Sequence, residues 1–475
     1  MAIFKKMSLK TGNTTRTQAS KLTLRQSIYP LCLVTILFFL WGFSYGLLDT
    51  LNKHFQNTLG ITRARSSGLQ AAYFGAYPLA SLGHANWLLR HYGFKAVFIW
   101  GLCLYGVGAL VAWPCILYRS FGGFCAAIFI IGNGLGALET AANPYITICG
   151  PPRYAEMRIN AAQAFNGIGT VIAPVLGSYV FFKDTGDSTE SLRNVQWVYL
   201  AIACFVFLLA VVFYFSPIPE ITDADMEFQD EEANAASDQS FWKQYRLFHA
   251  AFAQFCYTGA QVAIASYFIN FATETGKTSA VGAQLLAGAQ GAFALGRFAG
   301  VAIMKYCRPR WVFLVYLSLC IVFISPAIGL HNNAGIAMLY LTLFFESICF
   351  PTIVALGMRG LGKHSKRGSG FIVAGVSGGA VVPPALGGAA DASNTAAAMS
   401  VPLAFFALAW SYCFAVNFIP AYREPIDMLK DSTLAVETAT KDDESGSNAE
   451  REIGEPEKGA VTRVEGNSEE IRKVE

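Results

Sequence analysis

The sequence predicts an all-α membrane protein with about twelve transmembrane helices, and three observations support this class. Hydrophobic residues make up 54% of the 475 residues and charged residues only 14%, against roughly 25% in soluble domains. Apolar runs of about 20 residues, long enough for a helix to cross a bilayer, recur along the chain. One long acidic linker divides these runs six and six.

The apolar runs are continuous and do not alternate, so they are typical of transmembrane helices and not of barrel strands. In lipid the backbone must satisfy its own hydrogen bonds, which continuous runs of this length achieve as helices. The predicted spans cover 29–50, 66–90, 94–116, 120–149, 159–182, 194–217, 246–272, 279–304, 310–330, 335–358, 369–389 and 398–420.

The positions of these spans divide the chain into five parts. These are a basic N-terminal tail (1–28), six spans (29–217), an acidic linker (218–245), six more spans (246–421) and a C-terminal tail (422–475). The last tail is polar and has no aromatic residue after Tyr422, so we expect it to be disordered. Lys and Arg favour the loops on the N-terminal side, which predicts cytosolic termini in a plasma-membrane protein.

Several function classes are disfavoured by composition and motifs. A net charge of +3, spread between apolar runs, does not indicate a nucleic-acid partner. The 11 cysteines lie in apolar segments without CxxC or metal-ligand spacing, so we expect neither a metal nor another cofactor. The chain has no P-loop, HExxH or Ser-His-Asp arrangement, so we expect no enzyme. The apolar spans make the lipid bilayer an expected partner, and we expect a monomer.

An internal repeat relates the two halves. Glu139 precedes Pro144 by five residues in the fourth span, and Glu346 precedes Pro351 by five residues in the tenth. Each pair is followed about 30 residues later by a Gly-rich segment that contains proline. Matching features in two halves of a membrane protein indicate the central site of a transporter.

Charges inside the predicted spans are few, and four candidates stand out: Asp49, Glu139, Arg297 and Glu346. Burying such a group in a membrane is costly, so these residues usually line a cavity and serve function. We predict that the three carboxyls bind protons, because desolvation favours the neutral form of an acid. The alternatives are a neutral Glu139 bonded to a neighbouring helix, carboxylates at helix ends for the other two acids, and an Arg297 that reaches the cytosolic face.

Amide and aromatic side chains cluster on the first, fifth and seventh spans. Amides bond sugar hydroxyls and aromatic rings stack on the apolar face of a sugar, so this combination favours a sugar site. The candidate substrate-binding residues are Trp41, Tyr45, Gln163, Asn166, Tyr257, Gln261 and Asn270. The alternative is that the amides join helices and the aromatic residues anchor at the membrane interface.

A further set of residues is predicted to shape or gate the helices. Glycine permits close helix approach, and proline kinks a helix, so both suit elements that bend during transport. Tight static packing is the alternative. The candidates are Asn143, Pro144, Arg297, Pro351, Gly378 and Pro383.

Several of these segments resemble one known family. In the first half they are Phe-Leu-Trp-Gly-Phe (39–43) before Asp49, Leu-Glu-Thr-Ala-Ala-Asn-Pro-Tyr (138–145) and the block from Arg158 to Asn166. In the second half they are Ala-Gln-Phe-Cys-Tyr-Thr-Gly-Ala-Gln (253–261), Gly-Arg-Phe-Ala-Gly (296–300), Phe-Pro-Thr-Ile (350–353) and Gly-Ser-Gly-Phe-Ile-Val (368–373). Over about residues 28–420 the chain resembles the L-fucose–proton symporter family of the major facilitator superfamily.

The resemblance implies two six-helix bundles around a central cavity, alternating access and proton-coupled monosaccharide uptake. It implies that Asp49 relays the proton, that Glu139 couples protonation to sugar binding, and that Gln163 and Asn166 contact the sugar.

The chain also departs from the family pattern at several positions. Tyr45 and Gly46 replace a polar asparagine pair, Ala265 replaces a tryptophan, and Glu346 stands where the fucose transporter is apolar. Glucose, galactose, fucose, another hexose and an amino sugar therefore all remain open.

The predicted function is proton-coupled symport of a monosaccharide. A sugar-binding nutrient sensor without net transport and a proton-driven efflux carrier are the alternatives.

Overall fold

A computed structural model describes residues 24–149, 155–176, 189–221, 240–361, 364–424 and 426–427. The predicted all-α architecture is confirmed, since every regular element in these residues is helical. In the first half the helices are Leu24–Leu59, Arg63–Ser66, Gly68–Gly75, Leu79–His84, Ala85–Tyr92, Phe94–Leu117, Phe121–Ile148, Ala155–Leu176 and Thr189–Phe215. In the second half they are Phe241–Lys243, Tyr245–Glu274, Ser279–Met304, Pro309–Ala327, Asn333–Glu346, Cys349–Met358, Ser365–Ala374, Gly375–Ser377, Gly378–Ala392, Thr395–Ala398 and Ser400–Phe418.

These helices form twelve spans. Ten spans within the described residues are long and apolar enough to cross a membrane. The other two are the second span, which is broken into short helices over 63–92, and the seventh, Tyr245–Glu274. The seventh span is buried along most of its length, which explains why it carries more polar residues than a lipid-facing helix.

Three spans are interrupted where the sequence weakens the helix. The second span widens into a π-helical turn over Leu79–His84, after Pro78, and Gly83 leaves helical geometry there. The tenth span breaks between Glu346 and Cys349, just before Pro351. The eleventh span tightens to a 3-10 turn over Gly375–Ser377. The breaks of the tenth and eleventh spans lie beside Phe350 and Val376, which line the functional site described below.

The spans pack as two sets of six. In the first set the first span packs on the fifth and the third on the fourth and sixth, whereas in the second set the seventh packs on the eleventh and twelfth. The two sets meet where the fifth span contacts the eighth, the second contacts the eleventh and the first contacts the seventh.

Glycine allows close helix approach at two of these contacts. A Cβ added at Gly42 of the first span would overlap the carbonyl of Asn166 on the fifth. A Cβ added at Gly378 of the eleventh span would overlap the carbonyl of Phe255 on the seventh. Both contacts therefore depend on the missing side chain.

The outer surface is apolar, as lipid contact requires. Large hydrophobic side chains such as Trp197, Leu208 and Leu295 are more than half exposed. Exposed apolar surface on this scale marks an interaction surface, and around a bundle of transmembrane helices that surface is the bilayer.

Most of the predicted tails and linker lies outside the described residues. The chain continues as a helix past the predicted boundary at residue 421, through residues 422–424 and 426–427. Asp427 accepts hydrogen bonds from Arg308 and Arg310, which attaches this segment to the ninth span.

Candidate functional site

A narrow cavity lies between the two sets of helices. Aromatic rings, amides, hydroxyls and one guanidinium form its walls. Its lining residues are Trp41, Tyr45, Phe74, Gln163, Asn166, Thr170, Thr258, Gln261, Val262, Phe293, Arg297, Phe350 and Val376. Both halves of the chain contribute, as expected for a site between two moving bundles.

Five of the seven predicted substrate-binding residues meet in this cavity, and two do not. Trp41, Tyr45, Gln163, Asn166 and Gln261 line it.

The side chains of the remaining two candidates form hydrogen bonds outside the cavity. The Tyr257 hydroxyl donates to the backbone carbonyl of Glu346 at 2.5 Å. The Asn270 amide donates to the side-chain oxygen of Gln56 at 2.9 Å, and so joins the seventh span to the first. Their contacts are those of residues that hold helices together.

Arg297 bridges the two bundles across the cavity. Its guanidinium donates to the side-chain oxygens of Gln163 and Asn166, at 3.0 and 2.8 Å, and to the Gln163 carbonyl. It also lies 4.4 Å from the centre of the Phe293 ring. Arg297 is 2% exposed, so the guanidinium reaches the cavity and not the cytosolic face. Within the cavity, the Arg297 guanidinium thus forms hydrogen bonds with both of the amides that are predicted to contact the substrate.

The two repeated prolines create hydrogen-bond acceptors. Proline has no N–H and cannot bond to the carbonyl four residues earlier. For Pro351 that carbonyl belongs to Ser347, and it accepts from Arg297 at 2.9 Å. For Pro144 it belongs to Thr140, and it accepts from the Ser369 hydroxyl at 3.0 Å.

The Glu-to-Pro spacing therefore has a structural consequence in each half, because each freed carbonyl anchors another helix. One contact lies within the second bundle, and the other joins the fourth span to the eleventh.

Asp49 lies one helical turn beyond Tyr45 and is fully buried. The Ser266 hydroxyl of the seventh span donates to its Oδ1 atom at 2.7 Å. Its Oδ2 atom makes no hydrogen bond of ordinary geometry, although the side chains of Tyr45 and Gln70 interact with the carboxyl. A buried carboxyl with an oxygen that is not fully bonded is suited to bind a proton or to accept another donor.

Glu139 lies outside the main cavity, in a smaller pocket of about 220 Å³. Apart from Glu139 the pocket is apolar, and Trp41 lies in the wall that it shares with the main cavity. The Asn143 amide donates to Glu139 Oε1 at 3.3 Å, whereas Oε2 makes no hydrogen bond of ordinary geometry, although Tyr77 interacts with the carboxyl. The indole of Trp41 thus separates this carboxyl from the main cavity.

Glu346 is the third buried carboxyl, and its Oε2 atom also has no partner. It interacts electrostatically with Arg297 and Asp49. Among the described residues Arg297 and Glu346 make no ion pair within 4 Å, because the guanidinium is directed to the fifth span.

Polar contacts join the two bundles on both sides of the cavity. We name the side where the first span begins the terminal face, and the opposite side the distal face. At the distal face Arg63 pairs with Glu274 at 2.7 Å, and the Ala64 amide donates to Asp391 at 3.1 Å.

At the terminal face Arg359 pairs with Glu156, and the Asn86 amide donates to the carbonyl of Lys366 at 3.1 Å. The described residues thus form an occluded arrangement.

Sequence reasoning missed several lining residues. Phe74, Phe293 and Phe350 are ordinary apolar residues in apolar helices, and no local signal separates a cavity wall from a lipid-facing ring. Thr170 and Thr258 occur in the same spans as the predicted amides, so helical spacing from Asn166 and Gln261 gives a signal for them. Of the predicted gating residues, Pro383 lies within the helix Gly378–Ala392 and does not line the cavity.

Comparisons with known proteins agree with this architecture. Residues 34–384 match the Major Facilitator Superfamily. The chain is 33% identical to an L-fucose-proton symporter of Escherichia coli (strain K12), over 83% of this chain and 93% of that protein. It is 32% identical to a glucose/galactose transporter of Brucella abortus, over 84% of this chain and 96% of the relative.

Solved structures give the same result. The crystal structure of the transporter FucP in the outward conformation matches with a TM-score of 0.66 and 31% identity, over 82% of this chain and 98% of FucP. The proton:xylose symporter XylE matches with a TM-score of 0.62 at 11% identity, over 84% and 97% of the two chains, which shows a shared fold. The predicted two bundles of six helices are confirmed. This chain belongs to the L-fucose–proton symporter family of the Major Facilitator Superfamily, a family of multi-pass membrane transporters.

Proposed function

We propose that this protein carries a monosaccharide across the membrane together with protons, by alternating access. The central observation is the cavity between the bundles, where amides, aromatic rings and Arg297 are accompanied by three buried carboxyls, each with an oxygen that makes no hydrogen bond of ordinary geometry. The relatives named for fucose and protons, and for glucose and galactose, support the same assignment.

The cavity has the donors and acceptors that a sugar needs. Gln163, Asn166 and Gln261 offer amides, and Trp41 offers an indole face for the apolar side of the ring. In the occluded arrangement the oxygens of the first two amides accept from Arg297. A bound sugar must therefore replace some of these bonds or share them, which makes Arg297 part of the binding site.

The carboxyls take the proton-binding roles. Asp49 lies between the cavity and the distal face, where it can exchange protons as that face opens. Glu139 lies behind Trp41, where contact of the sugar with the indole can alter the surroundings of the acid. Glu346 lies beside Arg297, and a guanidinium displaced from the amides by sugar has this carboxyl as its nearest compensating charge.

We further propose that the protein is a plasma-membrane monomer with both termini in the cytosol. Its terminal face is then the cytosolic face and its distal face the outer one. It acts as a carrier and changes no covalent bond of its substrate.

Uptake by purified protein in sealed vesicles tests the proposal. With an inward proton gradient, radiolabelled glucose, galactose or fucose should accumulate, and a protonophore should abolish the accumulation. Glu139→Gln should lose accumulation yet retain exchange of sugar across the vesicle wall. Asn417→Ala, which alters a buried amide far from the cavity, is the matched control. Failure of the wild-type protein to accumulate any of the three sugars would refute the proposal.

A further inference from the structure

A row of polar side chains on the second span runs between two of the buried acids. Gln70, Tyr73 and Tyr77 are spaced by three and four residues, so they share one helix face. All three are 0% exposed. The Tyr73 and Tyr77 rings are adjacent, with centroids 5.8 Å apart.

The two ends of this row meet the two carboxyls. At one end Gln70 interacts with the side chain of Asp49. At the other end Tyr77 interacts with the side chain of Glu139.

Glycine brings the second span close enough to the fourth for the latter contact. A Cβ added at Gly136, one turn before Glu139, would lie 3.4 Å from Tyr77 Cα. The row therefore connects an acid beside the cavity to an acid in a separate pocket.

The polar atoms of the row lie near one another and near the two carboxyls, but their contacts do not have hydrogen-bond geometry. The Gln70 amide atoms, both tyrosine hydroxyls and one oxygen of each carboxyl make no hydrogen bond of ordinary distance and angle. Buried polar groups in native proteins are almost always bonded, and where no protein group is in place ordered water supplies the bond. Six polar atoms on five neighbouring side chains, none with a hydrogen bond of ordinary geometry, form a site for a short file of water molecules.

We propose that Gln70, Tyr73 and Tyr77, together with bound water, form a path along which a proton passes between Asp49 and Glu139. This inference rests on the proposed function and adds to it the residues that connect the two acids. It also explains how a proton can reach Glu139 although Trp41 separates that acid from the main cavity.

The transfer is balanced at every atom. Protonated Asp49 gives its proton to a water molecule held by Gln70, which passes a proton to the Tyr73 hydroxyl. Each tyrosine hydroxyl accepts a proton on its oxygen and releases its own to the next group, and the Glu139 carboxylate accepts the last one. The net change is loss of one proton by Asp49 and gain of one by Glu139, after which the hydroxyls rotate back.

Removal of one hydroxyl tests the path. In Tyr73→Phe and Tyr77→Phe the ring packing is kept and only the oxygen is lost. Proton-driven initial uptake of the sugar that the wild-type protein accumulates should fall at least about ten-fold. Exchange of labelled for unlabelled sugar, which needs no net proton movement, should stay within about two-fold. Proton-driven uptake by the double variant should equal that of each single variant, because the loss of one hydroxyl already interrupts the path. Tyr316→Phe, at a buried tyrosine of the second bundle, is the control and should leave both rates unchanged.

The deciding quantity is the ratio of proton-driven uptake to exchange. A ratio equal to that of the wild-type protein in both variants would overturn the path while leaving the proposed function intact. If Tyr77→Phe does not fold, Tyr73→Phe and Gln70→Leu test the same path at its other members. A wild-type protein without protonophore-sensitive uptake would instead contradict the proposed function itself, so the two failures are distinguishable.

Discussion

Replacement of Gly42 by alanine adds one methyl group. This group should separate two helices of the first bundle and displace a residue of the site. The new Cβ would lie 3.0 Å from Asn166 Cα and would overlap the Asn166 carbonyl. Ordinary contact begins at 3.4 Å, so the first and fifth spans must separate by on the order of 1 Å, a displacement that close-packed interiors resist. Overpacking of this kind typically costs about 1–3 kcal/mol. Because Asn166 lines the cavity, the same displacement moves a predicted sugar contact, and a shift of about 1 Å can lower activity about 100-fold.

The assay compares Gly42→Ala with Gly291→Ala, which meets no atom within 4 Å. Alanine favours a helix over glycine by up to about 1 kcal/mol, so the control should be as stable as the wild-type protein or more stable. We expect the melting temperature in detergent to fall by several degrees in Gly42→Ala only, with uptake reduced at least about ten-fold. Equal melting temperatures and equal uptake in the two variants would refute the close approach of the first and fifth spans.

Three further variants test other contacts. Arg63→Gln removes a partly exposed ion pair worth up to about 1 kcal/mol, so amide hydrogen exchange at the distal ends of the spans should rise about two- to five-fold; unchanged exchange would contradict a stabilising role of this pair at the distal face. Ser369→Ala leaves the Thr140 carbonyl buried without a donor, at about 1–3 kcal/mol, and should lower the melting temperature, whereas Ser393→Ala at an exposed site should not. Burial raises the pKa of Glu220 even though two backbone N–H groups donate to it, so the folded state binds more protons than the unfolded state above the ordinary carboxyl pKa. The free energy of unfolding of the wild-type protein should therefore decline as the pH rises from the ordinary carboxyl pKa through the raised pKa of Glu220. Glu220→Gln should remove this decline in melting curves recorded against pH.

Arg297 shows which part of the site can be predicted from the sequence and which part cannot. A charged residue in an apolar run signals a cavity-lining group, because burial of the charge must be compensated. That signal does not say which partner compensates it. The partners are two amides on the fifth span, in the other half of the chain. The carboxyl of Glu346, which is nearer in sequence, is not bonded to it.

The polar row on the second span, in contrast, could not be predicted from the sequence. Tyr73 and Tyr77 read as ordinary aromatic residues of an apolar helix, and nothing in their spacing distinguishes a lipid-facing tyrosine from a buried one. Only the contact of the second span with the fourth, which Gly132 and Gly136 permit, places them beside Glu139.

The sequence by itself determined the number of spans, their division into two repeated halves and the acids buried within them, since these depend on hydrophobic runs and on the cost of burying charge along a single helix. Only the tertiary structure decided which helix faces meet. It placed Tyr257 and Asn270 in helix contacts, set Glu139 behind Trp41 and joined Arg297 to the other bundle. The physical reason is that periodicity acts within one helix, whereas a cavity wall is formed by residues far apart in the chain whose helices pack side by side.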